Sequence, residues 1–208
     1  MARVVIEVLS HYLFDEKMKK LGLNDENVEN TNKAFISIIG TEECRKYWIG
    51  EDDKHFFKGH PNVLNLDFDD INDCDVLYNG HLFKTMTIEQ AERAIEFIES
   101  NINNGVETID IHCKAGISRS RAFGEFIYRY CKEHDIDVEY YDRGDFTTVL
   151  NHSVLRRLNH AYWKKHNLRF YEDSKTEYPR DLVEPEVRVI NRERNREAWR
   201  INRQMGKV

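Results

Sequence analysis

One stretch of the chain restricts its fold more than any other. Val106–Ile111 is a short run rich in β-branched residues, entered through Asn103-Asn104-Gly105, and Ile109, Ile111 and Cys113 share one face of it. That alternation predicts a buried strand. From Arg119 onward, Ala122, Phe123, Phe126, Ile127, Tyr130 and Cys131 recur at helical spacing. Only His112-Cys113-Lys114-Ala115-Gly116-Ile117-Ser118 stands between strand and helix. A strand passing into a helix through so short a loop belongs to an α/β fold. The loop then lies where unpaired N–H groups and the positive end of the helix dipole converge, a place suited to an anion.

The residue types in the loop divide the chemistry among themselves. The thiolate is the reactive form of cysteine and is favoured beside a helix N-terminus, so Cys113 is the expected nucleophile. Arg119 carries a planar fork of donors that matches two oxygens of a phosphate group, which predicts substrate binding and transition-state stabilisation. Gly116 permits a turn that brings the backbone N–H groups of Lys114, Ala115, Gly116, Ile117 and Ser118 toward one point. Ser120 is expected to donate a hydrogen bond to the departing thiolate. His112 is expected to orient the loop through hydrogen bonds rather than to act as a base.

These residues resemble the signature of cysteine-dependent protein tyrosine phosphatases: His-Cys, five residues, then Arg-Ser/Thr. The ending Ala115-Gly116-Ile117-Ser118-Arg119-Ser120 is closer to the dual-specificity branch and to small bacterial and phage-type relatives than to the large tyrosine-specific enzymes. The similarity runs over residues 30–166, taking in Ala34–Ile39, Val63–Ile71, the helix before the loop and the helix start at Leu150–Leu155. It implies a three-layer α/β sandwich with a short, largely parallel central sheet flanked by helices. It also implies a cysteinyl-phosphate intermediate with no cofactor and no metal. The family's general acid is an aspartate on the loop after the strand that precedes the pre-signature helix, where this chain offers Asp67, Asp69, Asp70, Asp73 and Asp75. Asp67 falls within the strand pattern. Asp70 is the expected acid, Asp69 comes next, and Asp73 and Asp75 are the alternatives. The spacing from this cluster to Cys113 is longer than the family's usual one.

The remaining elements fit one such domain over residues 1–170. Strands are expected at Arg3–Leu9, Ala34–Ile39 and Val63–Phe68, with a polar helical stretch at Asp15–Leu21 and a short helix at Thr41–Trp48. The helix before the signature is the clearest, with the capping box Thr87-x-x-Gln90 and an apolar face of Ile88, Ala91, Ala94, Ile95, Ile98 and Ile102. A last helix is expected over Ser153–His166. The 208 residues are 40% hydrophobic with a net charge of −6, enough for one sizeable core. No apolar run approaches a membrane span, and Met1–Leu9 is charged too early for a signal peptide. The nine histidines and four cysteines form no metal-ligand pattern. A catalytic thiol points to a reducing, cytoplasmic compartment.

Residues 171–208 change character. Tyr171–Pro185 is charged, holds two of the three prolines and reads as a linker. Glu186–Val208 has six Arg and one Lys against three Glu. Such a basic tail can hold nucleic acid, but its interleaved charges favour an ordinary solvated helix. The expected partner is a phosphorylated protein, with phosphotyrosine first and phosphoserine or phosphothreonine alongside. Lys114 is a feature shared with phosphoinositide phosphatases, whereas Ile117 stands where those enzymes often carry a second lysine. The alternatives are a catalytically weak phosphate-binding module and a phosphatase of phosphoinositides or of RNA 5′ ends.

Overall fold

A computed structural model describes residues 3–47, 54–72, 74–142 and 150–168, together with a strand at 188–190. In chain order its elements are β1 (Val4–Ser10), α1 (His11–Leu21), β2 (Lys33–Ile39), α2 (Glu42–Tyr47), β3 (Val63–Asp67), β4 (Val76–Tyr78), β5 (His81–Phe83), α3 (Ile88–Asn103), β6 (Thr108–Cys113), α4 (Arg119–Glu133), β7 (Val138–Asp142), α5 (His152–Lys165) and β8 (Arg188–Ile190). Five strands form an all-parallel sheet in the order β3-β2-β6-β1-β7. The strand that leads to Cys113 is therefore central, and all six of its residues are buried.

Alternation along the strands sends their side chains into two separate cores. Ile6, Ile36, Ile38, Ile109 and Ile111 pack with Ile95 and Ile98 of α3, Phe123 and Ile127 of α4, and Leu158 of α5. Leu9, Phe35 and Val63 pack on the opposite face with Phe14 and Met18 of α1 and with Phe56. Helices thus cover both faces of the sheet. Each fully buried aromatic such as Phe14 adds about 1.5–3 kcal/mol of transfer free energy.

The structure departs from the sequence expectations at several elements. The first helix begins at His11 rather than Asp15, because Ser10 caps it by accepting a hydrogen bond from Leu13 N at 3.2 Å. Tyr12 and Leu13 face solvent, which conceals the apolar period of that first turn. The strand expected over Val63–Phe68 is present over Val63–Asp67. Four strands were not foreseen: β7, β8, and the antiparallel pair β4–β5 joined by Asn79-Gly80, both with positive φ. The linker and the tail, apart from 188–190, lie outside the described residues, and those three residues form a strand rather than part of a helix.

The connections give the sheet a preferred binding edge. β1 passes into α1 on one face, whereas its neighbour β6 passes into α4 on the other. Where adjacent parallel strands send their connections to opposite faces, a crevice opens at their carboxyl ends. Ser10 lies level with Cys113 in that register, so the crevice opens at the signature loop.

Two predictions follow from the α1 face. Asp110 is fully buried in β6, and Lys17 Nζ lies 2.7 Å from its Oδ1 and 3.0 Å from Glu7 Oε1. Burial pushes the Asp110 carboxyl upward, and the Lys17 charge opposes it. Lys17→Met is expected to cost about 3 kcal/mol in urea unfolding, with most of it recovered by Asp110→Asn in the same chain. Near by, His60 Nδ1 lies 2.6 Å from Glu29 Oε1 and Nε2 lies 2.9 Å from Asp25 Oδ1. Hydrogen bonds to Glu29 and then Asp25 raise His60 above its ordinary 6.5. The folded state therefore holds this proton more tightly than the unfolded chain. The clamp's stabilisation should be complete below pH 6.5 and disappear as pH rises through the raised value, a slope that His60→Asn removes.

Candidate active site

Cys113, Arg119 and Ser120 of the signature are all buried. Cys113, the last residue of β6, is 2% exposed, and its Sγ lies 3.1 Å from Ser120 Oγ on the first turn of α4. Arg119 is 5% exposed and donates from Nη1 to the Phe68 carbonyl at 2.7 Å. Its Nε is buried and has no hydrogen-bond partner. A buried guanidinium N–H left so is costly unless an anion meets it. Lys114 and Ala115 are exposed, Ile117 and Ser118 are half-buried, and Gly116 is buried.

The ends of the helices show what is special about α4. Ser10 caps α1, Thr87 caps α3 and Asn151 caps α5, each accepting a backbone N–H with its side-chain oxygen. Thr41 does the same for α2, accepting from Cys44 N at 3.3 Å. Ser118, at the start of α4, makes no such bond. Its hydroxyl donates instead to Asp70 Oδ1 at 2.8 Å. The first N–H groups of α4 are thereby left to an incoming anion, with the thiol and the Arg119 guanidinium beside them.

The acidic cluster resolves into separate roles. Asp69 is 2% exposed and engages both oxygens: Oδ1 accepts from Thr41 N at 2.9 Å, and Oδ2 from Thr41 Oγ1 at 2.8 Å and Lys84 N at 2.7 Å. Asp75 Oδ1 accepts from Thr85 N at 2.8 Å and from Thr85 Oγ1 at 3.3 Å. Asp67 is exposed at the end of β3 near Gln90. Asp73 lies outside the described residues. Asp70 is exposed and joined to the signature loop through Ser118, with its Oδ1 also accepting from Asn151 Nδ2 at 2.9 Å. Both donors hold Oδ1.

Asn151 is the residue that reading the sequence missed. It is 2% exposed, caps α5 through Oδ1 to Val154 N at 3.1 Å, donates to Asp70, and its backbone N–H reaches Ser118 O at 3.4 Å. Asn before an amphipathic run is a recognisable cap, but the two free donors of its amide leave no trace in sequence.

The His112 imidazole lies against Phe14 at a centroid distance of 4.2 Å and against His11 at 5.1 Å. Packing dominates its surroundings, and the Cys113 backbone is the polar group that its ring meets. Burial, and then the nearby His11, His55 and Arg119, hold its pKa down at about 3, so it is neutral at physiological pH.

The loop is buttressed by the neighbouring crossover. His11 N donates to Lys114 O at 3.1 Å, and Gly116 has φ +74°. A Cβ at Gly116 would lie 2.5 Å from Ser10 N and 2.6 Å from Leu9 C, backbone atoms that cannot swing away. Gly116→Ala is expected to displace the loop from β1, costing about 1–3 kcal/mol of stability and weakening phosphate binding in calorimetry. No family model, no curated protein and no solved structure matches the chain.

Proposed function

We propose that the chain is a cysteine-dependent phosphatase of the protein tyrosine phosphatase type, hydrolysing phosphomonoesters in proteins, phosphotyrosine first. The observation that carries this reading is the uncapped start of α4, faced by a buried thiol and an unpartnered arginine N–H. A dianionic phosphate fits that set of groups in charge and in donor geometry.

The chemistry proceeds in two displacements. Cys113 Sγ attacks phosphorus in line as the bond to the leaving oxygen breaks, and the Asp70 carboxyl gives that oxygen its proton. Arg119 and the loop N–H groups hold the equatorial oxygens. Water then attacks the cysteinyl-phosphate, Asp70 takes back a proton, the P–S bond breaks and inorganic phosphate leaves. Ser120, 3.1 Å from Sγ, donates a hydrogen bond to the departing thiolate. Asn151 and Ser118 keep the Asp70 carboxyl over the loop. The four cysteines are free and no described helix is long and apolar enough to cross a membrane. A catalytic thiol works in a reducing compartment, and on that ground we place the protein in the cytoplasm.

The test uses two aryl phosphates that differ in leaving group. The full chain should turn over both, and Cys113→Ser should turn over neither. Asp70→Asn should slow phenyl phosphate about 10²-fold while affecting p-nitrophenyl phosphate far less, since nitrophenolate leaves without a proton. Activity surviving in Cys113→Ser refutes the mechanism, and phosphopeptide binding without turnover selects a binding module. A panel of phosphotyrosine and phosphothreonine peptides, a phosphoinositide and 5′-phosphorylated RNA then assigns the substrate.

A further inference from the structure

The β4–β5 hairpin is grafted directly onto the Asp70 loop. Asp75 and Thr85 close its base through the 2.8 Å bond from Thr85 N, and Cys74 and Phe83 at that base are buried. Asp69 N donates to Lys84 O at 2.7 Å, and Lys84 N returns a bond to Asp69 Oδ2 at 2.7 Å. The residue after Asp69 is Asp70. Whatever steadies the hairpin therefore steadies the carboxyl that faces the signature loop.

Three residues in each strand are too few to hold a hairpin by themselves, and an isolated two-stranded ribbon is marginal in water. Helix α2 packs against β5, with His81 Nδ1 3.2 Å from Glu43 Oε2, and a third strand pairs on the opposite side of the hairpin. β8 pairs in parallel with β4, with Val76 opposite Arg188, Leu77 opposite Val189 and Tyr78 opposite Ile190. It places β4 in the centre of a three-stranded sheet and satisfies an edge that would otherwise present unpaired N–H and C=O groups.

We propose that the β4 edge is a strand-docking site whose occupant is this chain's own segment Arg188–Ile190, and that docking couples the C-terminal region to the placement of Asp70. The mode is strand addition, in which main-chain bonds give the affinity. The occupant is tethered through residues 169–187, so docking is intramolecular and has the high effective concentration of a linked segment. The docking rests on the pairing alone. Its effect on turnover rests on the proposed role of Asp70.

Two proline variants of the full chain test it. Successive N–H groups of a strand point to opposite edges, so one of Val189→Pro and Ile190→Pro removes a bond to β4 while the other alters the outer edge only. In hydrogen exchange, one variant is expected to speed exchange of the Val76–Tyr78 amides about tenfold and the other to leave it near that of the parent. The variant that speeds exchange should also lower turnover of phenyl phosphate relative to p-nitrophenyl phosphate, a ratio that general loss of folding does not move. Adding a synthetic peptide of residues 184–194 should restore both readouts. Unchanged exchange in both variants overturns the docking, and an unchanged leaving-group ratio despite faster exchange overturns the coupling. Protection that rises with protein concentration assigns the strand to a second copy and overturns the intramolecular form. A parent chain without any turnover refutes the proposed function, and the exchange measurement then decides the docking by itself.

Discussion

The N-terminus of α4 is the point on which the rest of the structure turns. A helix that starts in the interior of a protein must satisfy its first N–H groups, and the other four α-helices do so with their own side chains. α4 does not, because Ser118 is directed to Asp70. Two consequences come from that single redirected hydroxyl. The helix keeps its first donors free of a side-chain cap, which the proposed function assigns to a phosphate, and the loop carrying Asp70 is tied to the start of α4. The sheet makes this arrangement affordable, since Cys113 ends a fully buried central strand and the β1–α1 junction supports the loop from the side.

How much of this was legible depends on the kind of signal. Periodicity and capping are local, and they delivered β1, β2, β3, β6 and the helices α3, α4 and α5, including the Thr87–Gln90 capping box. The signature loop was legible because its residue types are close together in sequence. β7 went unread because Val138–Asp142 shows no clean alternation at an edge of the sheet where it is only partly covered. The β4–β5 hairpin did carry a signal, the Asn79-Gly80 pair between extended residues, but the acidic residues before it give the stretch the composition of a solvated loop.

The hairpin Val76–Phe83 is an excursion in the interval between the acidic cluster and Cys113. Closing the base with Asp75 and Thr85 returns the chain to where it left, and the start of α3 stays at the end of β3, where Gln90 Nε2 donates to Asp67 O at 2.9 Å. Choosing among the aspartates was beyond the sequence. What separates Asp69 from Asp70 is the identity of their partners, Thr41 and Lys84 for one and Ser118 and Asn151 for the other, and those partners come from distant parts of the chain.

The state of His112 sharpens the division of labour in the proposed reaction. A histidine next to a nucleophilic cysteine invites a role in proton transfer, yet this ring is buried against Phe14 and is neutral, not an imidazolium acid, at physiological pH. Nor does it add a positive charge beside the thiol. The cationic groups at the loop are then Arg119, the loop's own Lys114 and the dipole of α4. A departing alkoxide or phenoxide still leaves poorly without a proton. In the proposed reaction that requirement falls on Asp70, an exposed residue held at one oxygen by Ser118 and Asn151. With His112 buried and neutral, proton transfer is left to the open side of the loop.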